Sequence, residues 1–257
     1  MSCTRVCLAI AVAGTAVLVP TAQASAGTPG PAAVMSKALV QGRGVAFTET
    51  SKSWIGDDRS DATVFRNSGV LAFGRGRLAA ASVKRVTTSG KTFRFLVVGG
   101  RTYAQGGLWS DSLPAGKSWV RSRDLRLEPY QASGQAIDVF EPATLRAVYA
   151  TRSGGAVHQS VKGVPATRYS GTVTAKALCT VSAACREAFG KSSPVKIGWS
   201  LWLDGKGRVV RLTTQWSRRS DSRKGVAGGG EWTDTYYARW GARITVKAPP
   251  ASRVAAV

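Results

Sequence analysis

A chain of 257 residues with 44% hydrophobic and 19% charged side chains can bury a core, which excludes a disordered polycation despite 36 Lys and Arg against 14 Asp and Glu. The formal charge of +22 must therefore lie on a folded surface, where it attracts anionic wall polymers or lipid head groups. No zinc finger, basic helix or aromatic RNA-reading motif accompanies that charge, so nucleic acid is not an expected partner.

Residues 1–26 read as a secretory signal peptide. Arg5 gives a weak positive start, Leu8 to Val19 is a short apolar core, and Ala22-Gln23-Ala24 and Ala24-Ser25-Ala26 are small-x-small cleavage sites. Later segments fall short of the roughly 20 apolar residues a membrane span requires. Cys3 and Cys7 precede the apolar core, so neither stands where lipid attachment after cleavage would need it. Cleavage lowers the net charge from +22 to +21, because Arg5 is the only charged side chain removed. The expectation is a secreted monomer, extracellular or loosely wall-associated, with residues 27–257 forming one domain.

Helical spacing over Ala32 to Gln41 ends at Gly42. From Gly44 the texture changes to short alternating runs, Val45–Thr50, Gly69–Phe73, Ala79–Thr88, Thr92–Val98 and Thr102–Gln105, separated by turns such as Ser89-Gly90 and Gly99-Gly100. This spacing predicts an antiparallel meander. Phe93, Phe95 and Val97 share one strand face and Arg94 points the other way. After an irregular middle, Pro142 opens a second helix with Leu145, Val148 and Tyr149 on one face, Arg152 in its last turn and Gly154 following.

Two cysteines follow the signal, Cys179 and Cys185. In an exported chain the pair reads as a disulfide, two free thiols being the alternative. On a continuous helix they would stand about 9 Å apart along the axis, too far for a bridge. A bridged pair thus predicts a helix end, a turn around Thr180–Ala183 and a second short helix.

Asp204-Gly205-Lys206-Gly207 marks the turn of a hairpin. Pairing Leu203 with Arg208 sets Leu201 against Val210 and Trp199 against Leu212. One face then carries Trp199, Leu201, Leu203, Val210, Leu212 and Trp216, and the other Ser200, Trp202, Val209, Arg211, Thr213 and Gln215. A sheet with one apolar face must cover it with helices, another sheet or an apolar molecule. A basic loop from Ser217 to Gly230 follows, with Arg218, Arg219, Arg223 and Lys224 as candidate anion contacts; Trp232–Tyr237 and Ala242–Lys247 read as closing strands.

Catalytic patterns do not emerge. His158 is the one histidine, in a polar stretch between helix and strand. Gly198-Trp199-Ser200-Leu201-Trp202 lacks the second glycine of a nucleophile elbow and lies inside a strand. Gly74-Arg75-Gly76-Arg77 precedes no helix pattern and has no acid about 20 residues on, as a dinucleotide site needs. One His and two bridged Cys do not make a zinc site. No enzyme, cofactor or metal is expected.

The segments GVPATRYSGTV (163–173), WLDGKGRVVRL (202–212) and YYARWGARITVKAPPASRV (236–254), with GKSWVR at 116–121 and the Pro142-led helix, resemble the LolA/LppX-like group, including actinobacterial lipoproteins of the LppX/LprG type. The resemblance spans most of Gly44 to Val254. It implies an α+β fold, an antiparallel β half-barrel of about ten strands with helices plugging the concave face, holding acyl chains between the two. This chain lacks the anchoring cysteine of the lipoprotein members.

Together these readings suggest an exported, non-enzymatic protein that holds a lipid or other hydrophobic ligand. Candidate cavity residues are Phe93, Phe95, Val97, Trp199, Leu201, Val210, Leu212 and Trp216. Two alternatives stand beside it: a structural core with no cavity, and an envelope sensor that binds a protein partner.

Overall fold

The computed structural model describes residues 30–109, 113–121, 127–222 and 227–256. The expected signal peptide, Arg223 and Lys224 lie outside the described residues. Helix α1 (Pro31–Ala38) opens with proline at its first turn and buries Met35. A meander follows: β1 (Arg43–Ile55), β2 (Thr63–Phe73), β3 (Leu78–Thr87), β4 (Thr92–Val98), β5 (Arg101–Gln105) and β6 (Trp119–Arg121). A strap from Leu127 to Glu141 contains one 3-10 turn, Pro129–Ala132, and leads into α2 (Pro142–Ala150). The second meander is β7 (Arg152–Val161), β8 (Val164–Thr174), β9 (Lys196–Asp204), β10 (Val209–Arg218) and β11 (Gly229–Arg243), with α3 (Ala175–Leu178) and α4 (Ala183–Phe189) between β8 and β9. A short β12 (Val254–Ala256) ends the described chain.

All the strands lie in one 12-stranded sheet, in the order β12-β6-β5-β4-β3-β2-β1-β11-β10-β9-β8-β7. The two meanders join where β1 pairs with β11, and the pairing is antiparallel except for β12 on β6. The sheet stays open at both edges, so the fold is the half-barrel that the resemblance implies, with twelve strands rather than about ten.

Strand alternation decides which side is covered. In β1, Val45, Phe47, Glu49 and Ser51 are buried, whereas Thr48 and Lys52 are exposed. The concave side carries the main core: Phe47, Leu71, Val97, Trp199, Leu201 and Leu212 pack against Met35, Ile137, Phe140, Leu145, Val148 and Leu178 from α1, the strap, α2 and α3. Among the described residues no helix is long and apolar enough to cross a membrane.

Two expectations are revised. Ala242–Lys247 is not a separate strand; β11 runs without a break to Arg243, bending where Arg239 and Gly241 take positive φ. His158 lies within β7, on an exposed strand face, not between helix and strand.

Candidate functional site

The hairpin turn forms where the sequence places it. Gly207 has φ +74°, Asp204 Oδ1 accepts from the Lys206 and Arg208 N–H groups at 2.9 Å each, and Asp204 Oδ2 binds Arg208 Nε at 2.9 Å. The register beyond it differs from the expected one. Leu203 pairs with Val209, and the next pair is Arg211 with Trp202, so Val210 is an extra residue bulged out of the ladder. Leu212 therefore faces Leu201, and Thr214 faces Trp199. The bulge exchanges the two valines. Val209 is fully buried in the main core, while Val210 turns to the convex side and packs with Val161, Ala166 and Trp202. Val210 is thus not a concave-face residue; the remaining hairpin assignments keep their faces.

Those concave residues form closed core. Leu201 and Leu212 are 0% exposed and Trp199 3%, and Trp199 Nε1 donates to Thr151 Oγ1 at the end of α2 (3.1 Å). Phe95 and Val97 are buried too, while Phe93 is half-buried and meets Trp109 edge to face. Trp216 is half-buried at the rim, edge-on to Phe189 of α4. The Cys179–Cys185 disulfide is present, with Cα atoms 4.8 Å apart, and it joins the end of α3 to α4 across the expected turn.

The concave face also carries a polar row that the sequence reading missed. Glu49 shares its parity with Val45 and Phe47, and that parity alone places a carboxylate on the apolar face. Glu49 is 3% exposed and accepts from Asn67 Nδ2 (2.5 Å), Gly134 N (2.7 Å) and Thr235 Oγ1 (2.7 Å). Arg85 Nε continues the row to Asn67 Oδ1 at 2.9 Å. From the strap, Gln135 Nε2 donates to Thr235 Oγ1 (2.6 Å) and the Leu212 carbonyl (3.2 Å), while Thr214 Oγ1 donates to Gln135 Oε1 (3.0 Å). A Cβ on Gly134 would stand 3.0 Å from Glu49 Oε1, so this close approach suits glycine. A hydrogen-bonded latch thus pins the strap to the sheet. Burial, reinforced by the nearby Glu49 charge, pushes the Glu231 carboxyl up to about 7, and Arg85 partly offsets this.

A cleft of about 550 Å³ opens between the strap, α4, the start of α2 and the β2–β3 turn. Leu78, Pro129, Tyr130, Phe140 and Pro142 supply its apolar walls, and Glu128, Asp138, Glu141 and Glu187 its charge. Phe140 belongs to the main core and Leu78 packs against it, so the cleft reaches the same core that the plug closes. Burial pushes the Asp138 carboxyl up to about 7 despite the Phe140 N–H that it accepts at 2.8 Å. The flanking apolar residues Ile137, Val139 and Phe140 are the sequence signal that this acid is inside.

On the convex side, Arg211 lies over the rings of Trp202 (4.5 Å) and Tyr236 (4.8 Å) and binds Asp234 through two 2.8 Å contacts. Lys162 caps Tyr236 at 3.9 Å. Across the neighbouring strands Lys84 sits directly opposite Arg94, and Arg66 and Lys84 line a shallow groove of about 330 Å³. Of the basic-loop candidates, Arg218 and Arg219 are exposed at the end of β10, and Arg218 Nε donates to the Ala227 carbonyl at 3.1 Å. His158 Nδ1 meets the Thr167 hydroxyl at 3.1 Å.

No protein-family model and no curated protein matches this chain. Solved structures similar to it include LprF from Mycobacterium bovis, 14% identical over 87% of this chain and 99% of that one, with a TM-score of 0.39. A LolA superfamily protein from Nitrosomonas europaea is 9% identical over 84% and 93% of the two chains, with a TM-score of 0.29. A DUF1329 family protein from Desulfovibrio piger is 10% identical over 84% and 92%, with a TM-score of 0.27. The open, curved sheet with helices on its concave side is the half-barrel that the sequence resemblance implied.

Proposed function

We propose that this protein is an exported, non-catalytic carrier that holds a hydrophobic ligand between the curved sheet and its plug. The observation that carries the reading is the cleft of about 550 Å³, which lies between plug and sheet rim and ends on the core residues Phe140 and Leu78. Its volume is within the range of small-molecule sites. The plug is made of short pieces, the helices having 8, 9, 4 and 7 residues, and its strap is held by polar contacts as well as apolar ones. Such a cover can part from the sheet without breaking a long helix. An acyl chain entering at the cleft would then run over Leu212, Leu201 and Trp199. The exposed bases Arg66, Lys84 and Arg94 of the convex side, with Arg218 and Arg219, would hold the carrier at an anionic wall or lipid surface.

Titration of the delipidated protein with a fluorescent fatty acid tests the reading. Saturable uptake, reported by energy transfer from tryptophan, is expected. The close packing of Trp199, Leu201 and Leu212 favours a second reading, a structural domain without a ligand, and absence of uptake would select it.

A further inference from the structure

The cleft carries charge of the opposite sign to the rest of the molecule. Glu128, Asp138, Glu141 and Glu187 line it, in a chain with 14 acidic residues against 36 Lys and Arg. Arg77 is the only base among its described lining residues, and the two ion pairs among the described residues, Arg208–Asp204 and Arg211–Asp234, lie elsewhere. Tyr130 stands among these acids. It is 9% exposed and lines the cleft, and among the described residues its hydroxyl has no hydrogen-bond partner. All four carboxylates act on that hydroxyl electrostatically. The hydroxyl is not enclosed by protein and reaches the cleft, so it is free to bond to an occupant there.

The chemistry of the occupant follows from spacing and walls. Among the described residues no three acids are grouped closely enough to hold a metal ion. A larger cation can touch separated carboxylates, and aromatic faces such as Tyr130 and Phe140 stabilise it further. Leu78, Pro129, Pro142 and Ala184 leave an apolar wall beside the charged one. We propose that the cleft binds an amphipathic organic cation, with an ammonium or guanidinium head among the four carboxylates and Tyr130 and an apolar body against Leu78 and Phe140. This rests on the carrier reading for the placement of the apolar body. The charge of the rest of the protein opposes such a ligand, but that long-range repulsion is screened beyond about 8 Å at physiological salt, so the local field decides.

Calorimetric titration at 0.15 M salt with decyltrimethylammonium, the neutral decyl maltoside and tetramethylammonium, each below its micelle concentration, tests the proposal. The cation with the chain is expected to bind at least tenfold more tightly than the maltoside. Glu128→Gln with Glu187→Gln, on the accessible side of the cleft, should remove most of that preference while leaving maltoside binding and the melting temperature unchanged. Tyr130→Phe should weaken the cation severalfold. Cation affinity should also rise between pH 6 and pH 8 as Asp138 ionises, in a field set by Glu128, Tyr130, Glu141, Glu187, Arg77 and Tyr237, and this rise should vanish in Asp138→Asn. Equal binding of cation and maltoside would overturn the cation site and leave the carrier reading standing. Binding of tetramethylammonium as tight as that of the decyl compound would keep the cation site and refute the carrier reading. Tighter binding of an oligolysine peptide than of the decyl cation would overturn the proposal in favour of a basic protein partner.

Discussion

Replacing Glu49 with alanine should release the strap from the sheet. The carboxylate accepts from Asn67 Nδ2, Gly134 N and Thr235 Oγ1; Asn67 and Thr235 are buried and Gly134 is half-buried. Each buried donor left without an acceptor costs roughly 1–3 kcal/mol. Thr235 can rotate its hydroxyl, whereas Asn67 is held by Arg85 and Gly134 by the backbone, so a total of about 3–5 kcal/mol is expected. For a domain of this size that lowers the melting temperature by on the order of 10 °C. Glu49→Gln keeps an acceptor for Asn67 and Gly134 and should cost only about 1 kcal/mol. Thermal unfolding followed by circular dichroism gives the global effect, and amide exchange over residues 129–139 gives the local one. The strap should exchange faster in Glu49→Ala than in Glu49→Gln. A melting temperature for Glu49→Ala within 2 °C of wild type, with unchanged strap exchange, would refute the latch.

Trp202 is only 4% exposed although it lies on the convex side, so Trp202→Ala should cost about 3–5 kcal/mol, whereas Trp202→Phe should cost under about 1 kcal/mol because the buried Nε1 has no hydrogen-bond partner among the described residues; chemical denaturation separates the two. Removing the bridge as Cys179→Ser with Cys185→Ser should destabilise by about 2–3 kcal/mol, measured by the same method, and equal stability of the variant would count against a bridge that constrains the unfolded chain. Asp138 and Glu231 hold their protons to about pH 7 in the folded protein but lose them near pH 4 when unfolded, so the folded state binds more protons in that window. Stability from these groups therefore falls as pH rises from about 4 to 7, by at most about 1.4 kcal/mol per unit for each. Asp138→Asn should show a shallower decline of melting temperature from pH 5 to pH 7, and an unchanged slope would contradict the assignment.

Local signals in the chain reach a long way into this fold. The Asp204–Gly207 turn, the faces of Phe93, Phe95 and Val97, and the broken helix around the Cys179–Cys185 bridge all follow from residues within a few positions of one another. The one-residue bulge at Val210 does not, because two adjacent valines satisfy either face equally and the choice depends on how β10 meets β9 and β11. Likewise Gly154 and Gly155 hide β7, an edge strand whose pairing with β8 supplies what its propensity lacks. The strap has no period at all. Its position rests on contacts with Glu49, Thr214 and Thr235, each more than 75 residues away in sequence, which no local pattern encodes. Glu49 itself was legible by parity, as was Asp138 by its apolar neighbours, but their joint placement under one plug required the sheet.

The carrier account is tested most directly by organic extraction and mass spectrometry of the native protein purified without detergent. The account predicts a lipid or other hydrophobic molecule at close to one per chain in the native protein, and a lower yield from Trp199→Ala purified in the same way. Native protein that repeatedly yields no hydrophobic molecule, and whose delipidated form takes up no fatty-acid probe, would contradict it and leave the concave face as core alone.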